Sequence, residues 1–205
     1  MNSFVDFVVQ QIYGDARRDP SQGTPTPELA RALLGPDSIH RVSPARALAS
    51  CASCGTADGR LIIHISAASA PWQVNHRVAR QLAKWYLTRH GYDGGNVDAV
   101  VRGVAAAICI PTPAFARVRE RFGDNIPELS AHFRVSQSLA ALRLAECAGY
   151  PTALRTANRI IVRGNHWEWP VGNRDWAALF RRPSAIGLVV QHLSDVRGRV
   201  VLRAH

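Results

Sequence analysis

Lysine is almost missing from this chain: Lys84 stands alone among 25 basic residues, and the rest are arginine. Acidic residues are also scarce, 15 in all, which leaves a formal net charge of +10. An excess of that sign raises nucleic acid as a partner. The arginines are scattered rather than clustered, and a skew toward Arg, Ala, Val and Gly is what a GC-rich coding sequence produces. The charge therefore ranks nucleic acid below a protein partner. No apolar run approaches the ~20 residues of a membrane span, so no membrane partner is expected. The N-terminus lacks a basic segment followed by an apolar one, which argues against secretion through a signal peptide and for a cytoplasmic protein. Repeats and low-complexity segments are absent. What is present is globular: 205 residues, 47% apolar and 20% charged, enough for one domain with a modest extension.

Cysteine is sparse and poorly placed for chemistry. Cys51-Ala-Ser-Cys54 is a CxxC, but no second Cys or His pair lies near it to complete a zinc knuckle. No thioredoxin-like Trp context surrounds it either. A loop with two free thiols is the expectation. Cys109 and Cys147 fall on helical segments and read as core thiols.

Helical periodicity dominates the first three quarters of the chain. Phe4, Val5, Val8, Val9 and Ile12 recur at helical spacing behind Ser3. Thr26-Pro27-Glu28 has the form of an N-cap, a first-turn proline and a first-turn acid, and this helix stops at Gly35-Pro36. The small, polar stretch 50–59 reads as a loop before a strand at Leu61–Ile65. Pro71 and Trp72 open a long helix that runs to about His90, and Gly91–Gly95 ends it. Asp98 to Ile110 is a second amphipathic helix closed by Pro111. Thr112 and Ser136 read as further caps. Beyond Pro151 the pattern turns to strands: a hairpin with arms 158–162 and 166–169, then 185–193 and 199–203, with a short helix over 175–180 between.

The long helix has the apolar rhythm of a zinc-protease helix without its donors. A zincin helix carries His-Glu-x-x-His, in which two His at i and i+4 leave one face to grip the metal and the Glu acts as base on metal-bound water. Here the two ligand positions would hold Arg80 and Lys84 and the base position Gln81. Neither cation offers a lone pair, and an amide has no basicity. Several segments then follow in order. Asp98 to Pro111 is similar to the Glu-x-x-Ala-Asn-x-Phe-Ala-Ala-x-Leu-Leu-Met-Pro pattern of the ImmA/IrrE family of metallopeptidases. A short helix comes next at Thr112 to Phe122, and 128–144 is similar to that family's helix pair. Arg60 to Ile65 fits the strand before the metal helix. The resemblance covers Gly59 to Gly149 and is looser toward the N-terminus. Arg102 and Val104 depart from the family's Asn and Phe.

The resemblance implies an α+β fold: a zincin-like helical core with a small β-sheet, a helix-turn-helix-like helix pair and a C-terminal β-rich extension. It places a metallopeptidase-like domain at 1–150 and the extension at 151–205. It puts Asp98 where the family's third ligand stands, and one carboxylate does not hold zinc, so no metal and no cofactor are expected. It further implies that Asp98 faces Arg80 or Lys84 in a partly buried site, where a guanidinium would satisfy the carboxylate. The expected function is a catalytically inactive, regulatory or protein-binding bacterial module. Its expected partner is a protein, and the family's ties to repressors point to a helix-turn-helix regulator. Two alternatives stand beside it. One is an active zinc metalloendopeptidase with unorthodox ligands drawn from His76, His90, Asp93 or Asp98. The other is a DNA-binding transcriptional regulator.

Two further features have a functional and a bland reading. The helix pair over 127–147 could place a recognition helix in a DNA groove. Its second helix offers only Gln137, Ser138, Arg143 and Glu146 outside apolar positions, so packing is the better reading. Trp167 and Trp169 alternate on an expected strand and could stack a ligand, but a small sheet also needs bulky cover.

Overall fold

The computed structural model describes residues 3–42, 51–55, 61–92, 94, 96–149, 152–155, 160–163, 188–193 and 198–203. The fold is α+β, and two compact units divide it: residues 2–118 with 133–135, and residues 119–132 with 136–205.

The first unit opens on α1 (Ser3–Asp15) and α2 (Thr26–Leu34). A three-stranded sheet follows, β1 (Ile39–Val42), β2 (Cys51–Gly55) and β3 (Leu61–Ser66), in the order β1-β3-β2. β1 runs parallel to β3, with Ile39 opposite Ile63, and β2 runs antiparallel to it, with Cys51 opposite Ile65. On β3 burial alternates: Leu61, Ile63 and Ile65 face the core, while Ile62, His64 and Ser66 are half-buried. The long helix α3 (Pro71–Arg89) and α4 (Val97–Cys109) complete the core, and α5 (Thr112–Phe122) begins in this unit. Ile12, Leu29, Ile63, Val78, Leu82, Val104 and Ile108 are all fully buried. Each such side chain contributes about 1.5–3 kcal/mol relative to exposure. Gly103 lets α1 lie close to α4, because a Cβ there would meet Val5 at 3.4 Å.

Among the described residues, buried polar side chains in this core have partners, with the Ser38 hydroxyl as the exception. The Tyr13 hydroxyl donates to the Ile108 carbonyl at 3.2 Å. Burial, and secondarily Cys109, pushes its pKa well up. Thr26 is not the cap that the sequence suggests. It lies inside α2, fully buried, with its hydroxyl 3.7 Å from the Cys109 sulfur, and Pro25 occupies the cap position. At Thr26 a tertiary contact takes the hydroxyl expected to cap. Thr112 opens α5, and its hydroxyl donates to Asp6 at 2.8 Å.

The second unit holds α6 (Ile126–Phe133, its last residue excepted), α7 (Gln137–Ala148) and a four-stranded antiparallel sheet. The strands are β4 (Thr152–Arg155), β5 (Ile160–Arg163), β6 (Leu188–Leu193) and β7 (Gly198–Arg203), in the order β5-β4-β7-β6. α7 starts as the sequence indicates: Ser136 accepts the Leu139 N–H at 3.1 Å. Gly149 ends it at φ 73°, where a side chain would be strained. α7 packs on β4 and β5, burying Ala140, Ala141 and Leu144.

Three expectations change, and one lies partly outside the described residues. Cys51–Gly55 is a strand and not a loop, because backbone pairing with β3 outweighs its small, polar composition. β1 and β4 are strands that alternation alone does not reveal. The arm 160–163 pairs with β4; its expected partner arm 166–169, with Trp167 and Trp169, and the expected helix 175–180 lie outside the described residues. Cys147 is half-buried rather than core, whereas Cys109 is buried. Among the described residues no single helix is long and apolar enough to cross a membrane.

Candidate functional site: the outer face of helix α3

Pro71 occupies the first turn of α3, and the Gln73 side chain accepts the Ala70 N–H at 3.2 Å, half of a capping box. Gly91, at φ 70°, lets the chain leave beyond the His90 cap. Val74, Val78, Ala79, Leu82, Ala83, Tyr86 and Leu87 form the buried stripe, packed against α2 and α4. Asn75 is also buried, and its Nδ2 donates to the carbonyls of Phe133 at 3.4 Å and Arg134 at 3.0 Å. Arg134 adopts φ 51°, a left-handed turn that presents both carbonyls.

The opposite side of α3 carries the expected site residues. Arg80 and Lys84 are exposed, one helical turn apart, and Gln81 is half-buried. α4 brings Asp98 to them: its Oδ1 lies 4.0 Å from Arg80 Nη2. The pair is an open one, with side chains 52% and 80% exposed, and not the partly buried pair that the sequence implies. The reason lies in the helix crossing. The buried stripes of α3 and α4 pack against each other, and the polar row stays on the rim. Arg77 is half-buried and donates to Ser69 Oγ at 2.8 Å. His76, beside them, has its pKa held below the usual value, first by burial and then by Arg80 and Arg77.

These residues do not fit a zinc ion. Arg80 and Lys84 keep their protons, Gln81 offers an amide, and Asp98 alone has the right donor chemistry. His90 stands at the far end of α3. Its ring stacks on Tyr86 at 4.1 Å and its Nδ1 lies 2.8 Å from the Tyr86 carbonyl, so it does not join His76 or Asp98. Asp93 is outside the described residues. Among the described residues no three His, Cys, Asp or Glu side chains are grouped to hold a metal.

The helix pair offers less to a groove than its sequence suggests. Arg143 is buried and donates to Glu146 at 2.8 Å, and Gln137 and Ser138 are half-buried. Two clusters lie outside the expected set. The Tyr86 hydroxyl donates to Asp15 Oδ2 at 2.8 Å, and burial together with that bond pushes its pKa up to about 12. His40 and His64 stack at 5.7 Å across β1 and β3. No sequence signal joins either cluster, since one spans α1 and α3 and the other needs the unexpected strand β1.

No protein-family model matches the chain, and no curated protein matches it in sequence. Among solved structures, one described as a Mycobacterium tuberculosis transcriptional regulator is similar to it. It superposes with a TM-score of 0.59 over 99% of this chain and 70% of that one, at 18% identity. At that identity the similarity is one of fold.

Proposed function

We propose that this chain is a non-catalytic module on a metallopeptidase-like scaffold of the ImmA/IrrE type, and that it regulates by binding another protein. The carrying observation is the outer face of α3. The side chains at the positions of two ligands and a base are Arg80, Lys84 and Gln81, and Asp98 faces Arg80 at 4.0 Å. The buried stripe of the same helix is intact, so the substitutions fall on chemistry and spare packing. The fold shared with a protein described as a transcriptional regulator supports a regulatory role.

The net charge of +10 favours a second reading, a DNA-binding regulator. The two differ in salt dependence. Duplex binding weakens steeply with salt because each neutralised phosphate releases counterions. A protein contact that also rests on apolar and aromatic surface weakens less steeply. A pull-down from the native host, at low and high salt and with nuclease treatment, separates them. Recovery of a protein that survives both is expected. Recovery of salt-labile, nuclease-sensitive material alone would replace this reading with the DNA-binding one.

A further inference from the structure

Helix α3 carries Arg77, Arg80, Lys84 and Arg89 and no carboxylate in its 19 residues. Arg80 and Lys84 are exposed and one turn apart, with Arg77 a turn earlier on the same side. Like charges at these spacings weaken a helix. The positive field is felt locally, where Arg80 and Arg77 add to burial in holding the His76 pKa down. Two aromatics bracket the row. Trp72 is 38% exposed, and Trp85 is half-buried with the Arg89 guanidinium 5.3 Å above its ring. Asp98 is too open, 80% exposed at 4.0 Å from Arg80, to neutralise the row.

We infer that this face of α3 docks an acidic polypeptide segment of the partner, with its carboxylates on the cation row and its apolar side chains on Trp72 and Trp85. The inference rests on the protein-binding reading above. At 1.5 Å of rise per residue, Arg77, Arg80 and Lys84 are spaced about 4.5 and 6 Å along the axis. Carboxylates at i, i+3 and i+7 of a partner helix match that row, and carboxylates alternating along a strand at about 6.6 Å match its Arg80–Lys84 step. Trp and Arg are the side chains that dominate protein–protein contacts. A duplex offers its phosphates but no apolar surface for the tryptophans.

The test uses the full chain and two fluorescein-labelled probes, a peptide of repeating Glu-Glu-Leu and a duplex DNA, followed by anisotropy. Arg80→Glu/Lys84→Glu reverses the row. Arg31→Glu/Arg117→Glu makes the same charge change at two exposed positions off α3. Circular dichroism checks both folds, and Arg80→Gln/Lys84→Gln replaces the first variant if it unfolds. Peptide affinity should fall about tenfold or more in the α3 variant and change by less than about twofold in the control. Equal weakening in both variants, or no peptide binding by the wild type, overturns the proposal. So does an α3 variant that loses the duplex while the wild type ignores the peptide, which would make the face a nucleic-acid surface. In the native-host pull-down, a protein partner retained by Arg80→Glu/Lys84→Glu overturns the docking site and leaves the protein-binding reading standing. No protein recovered by the wild type overturns that reading itself.

Discussion

Arg80 and Asp98 meet across α3 and α4 at 4.0 Å, both in open solvent, at the positions where the sequence pattern would place a metal ligand on each helix. An ion pair stands there, and it is a weak one. Exposed pairs contribute between about 0 and 1 kcal/mol, because water screens them and two long side chains lose freedom.

Asp98→Ala should therefore lower stability by less than about 1 kcal/mol in urea unfolding. A loss of about 3 kcal/mol or more would mean that the pair is buried in solution and ties the two helices together.

Asn75 is a different case, because its partners are backbone groups. Removing its amide leaves the Arg134 carbonyl without the 3.0 Å donor that it has now. Asn75→Ala should cost about 1–3 kcal/mol, the penalty for a buried polar group losing its bond. Arg134→Gly should act in the opposite direction, relieving a left-handed residue at φ 51° by about 0.5–1 kcal/mol. Urea unfolding of both variants checks the pair. A neutral Asn75→Ala would show that the turn at 133–135 does not depend on α3.

His76 gives the fold a pH dependence of known sign. Its folded pKa lies below the ordinary value of 6.5, so the unfolded chain binds the proton more readily. This group costs nothing well above pH 6.5, and stability falls as pH drops below that value. His76→Gln should narrow the gap in melting temperature between pH 7.5 and pH 5. An unchanged gap would place the acid sensitivity elsewhere.

The helices were legible because punctuation marks them. Pro71, Pro111, Ser136 and Gly149 each sit at or next to a helix end in the structure. The sheets were legible in part: β3, β5, β6 and β7 fall on segments that read as strands, while β1, β2 and β4 do not, since pairing is a long-range property. Cys51–Gly55 has no alternating pattern and becomes a strand only because β3 lies beside it. Arg143 shows the same limit: a charged side chain on α7 reads as solvent-facing until β4 and β5 cover that helix. At the candidate site, spacing within α3 and α4 was enough to bring Arg80 and Asp98 together on paper. Their exposure was not readable, because it depends on how the two helices pack.

The non-catalytic assignment stands or falls most directly on zinc content. Elemental analysis of the wild-type protein, purified without chelator and dialysed after zinc loading, should show well under one zinc per chain. The variant Arg80→His/Gln81→Glu/Lys84→His/Asp98→Glu restores the donors on the same face and, if folded, should take up about one zinc per chain. Stoichiometric zinc in the wild type, lost on Asp98→Ala, would contradict the assignment and make the outer face of α3 a working metal site.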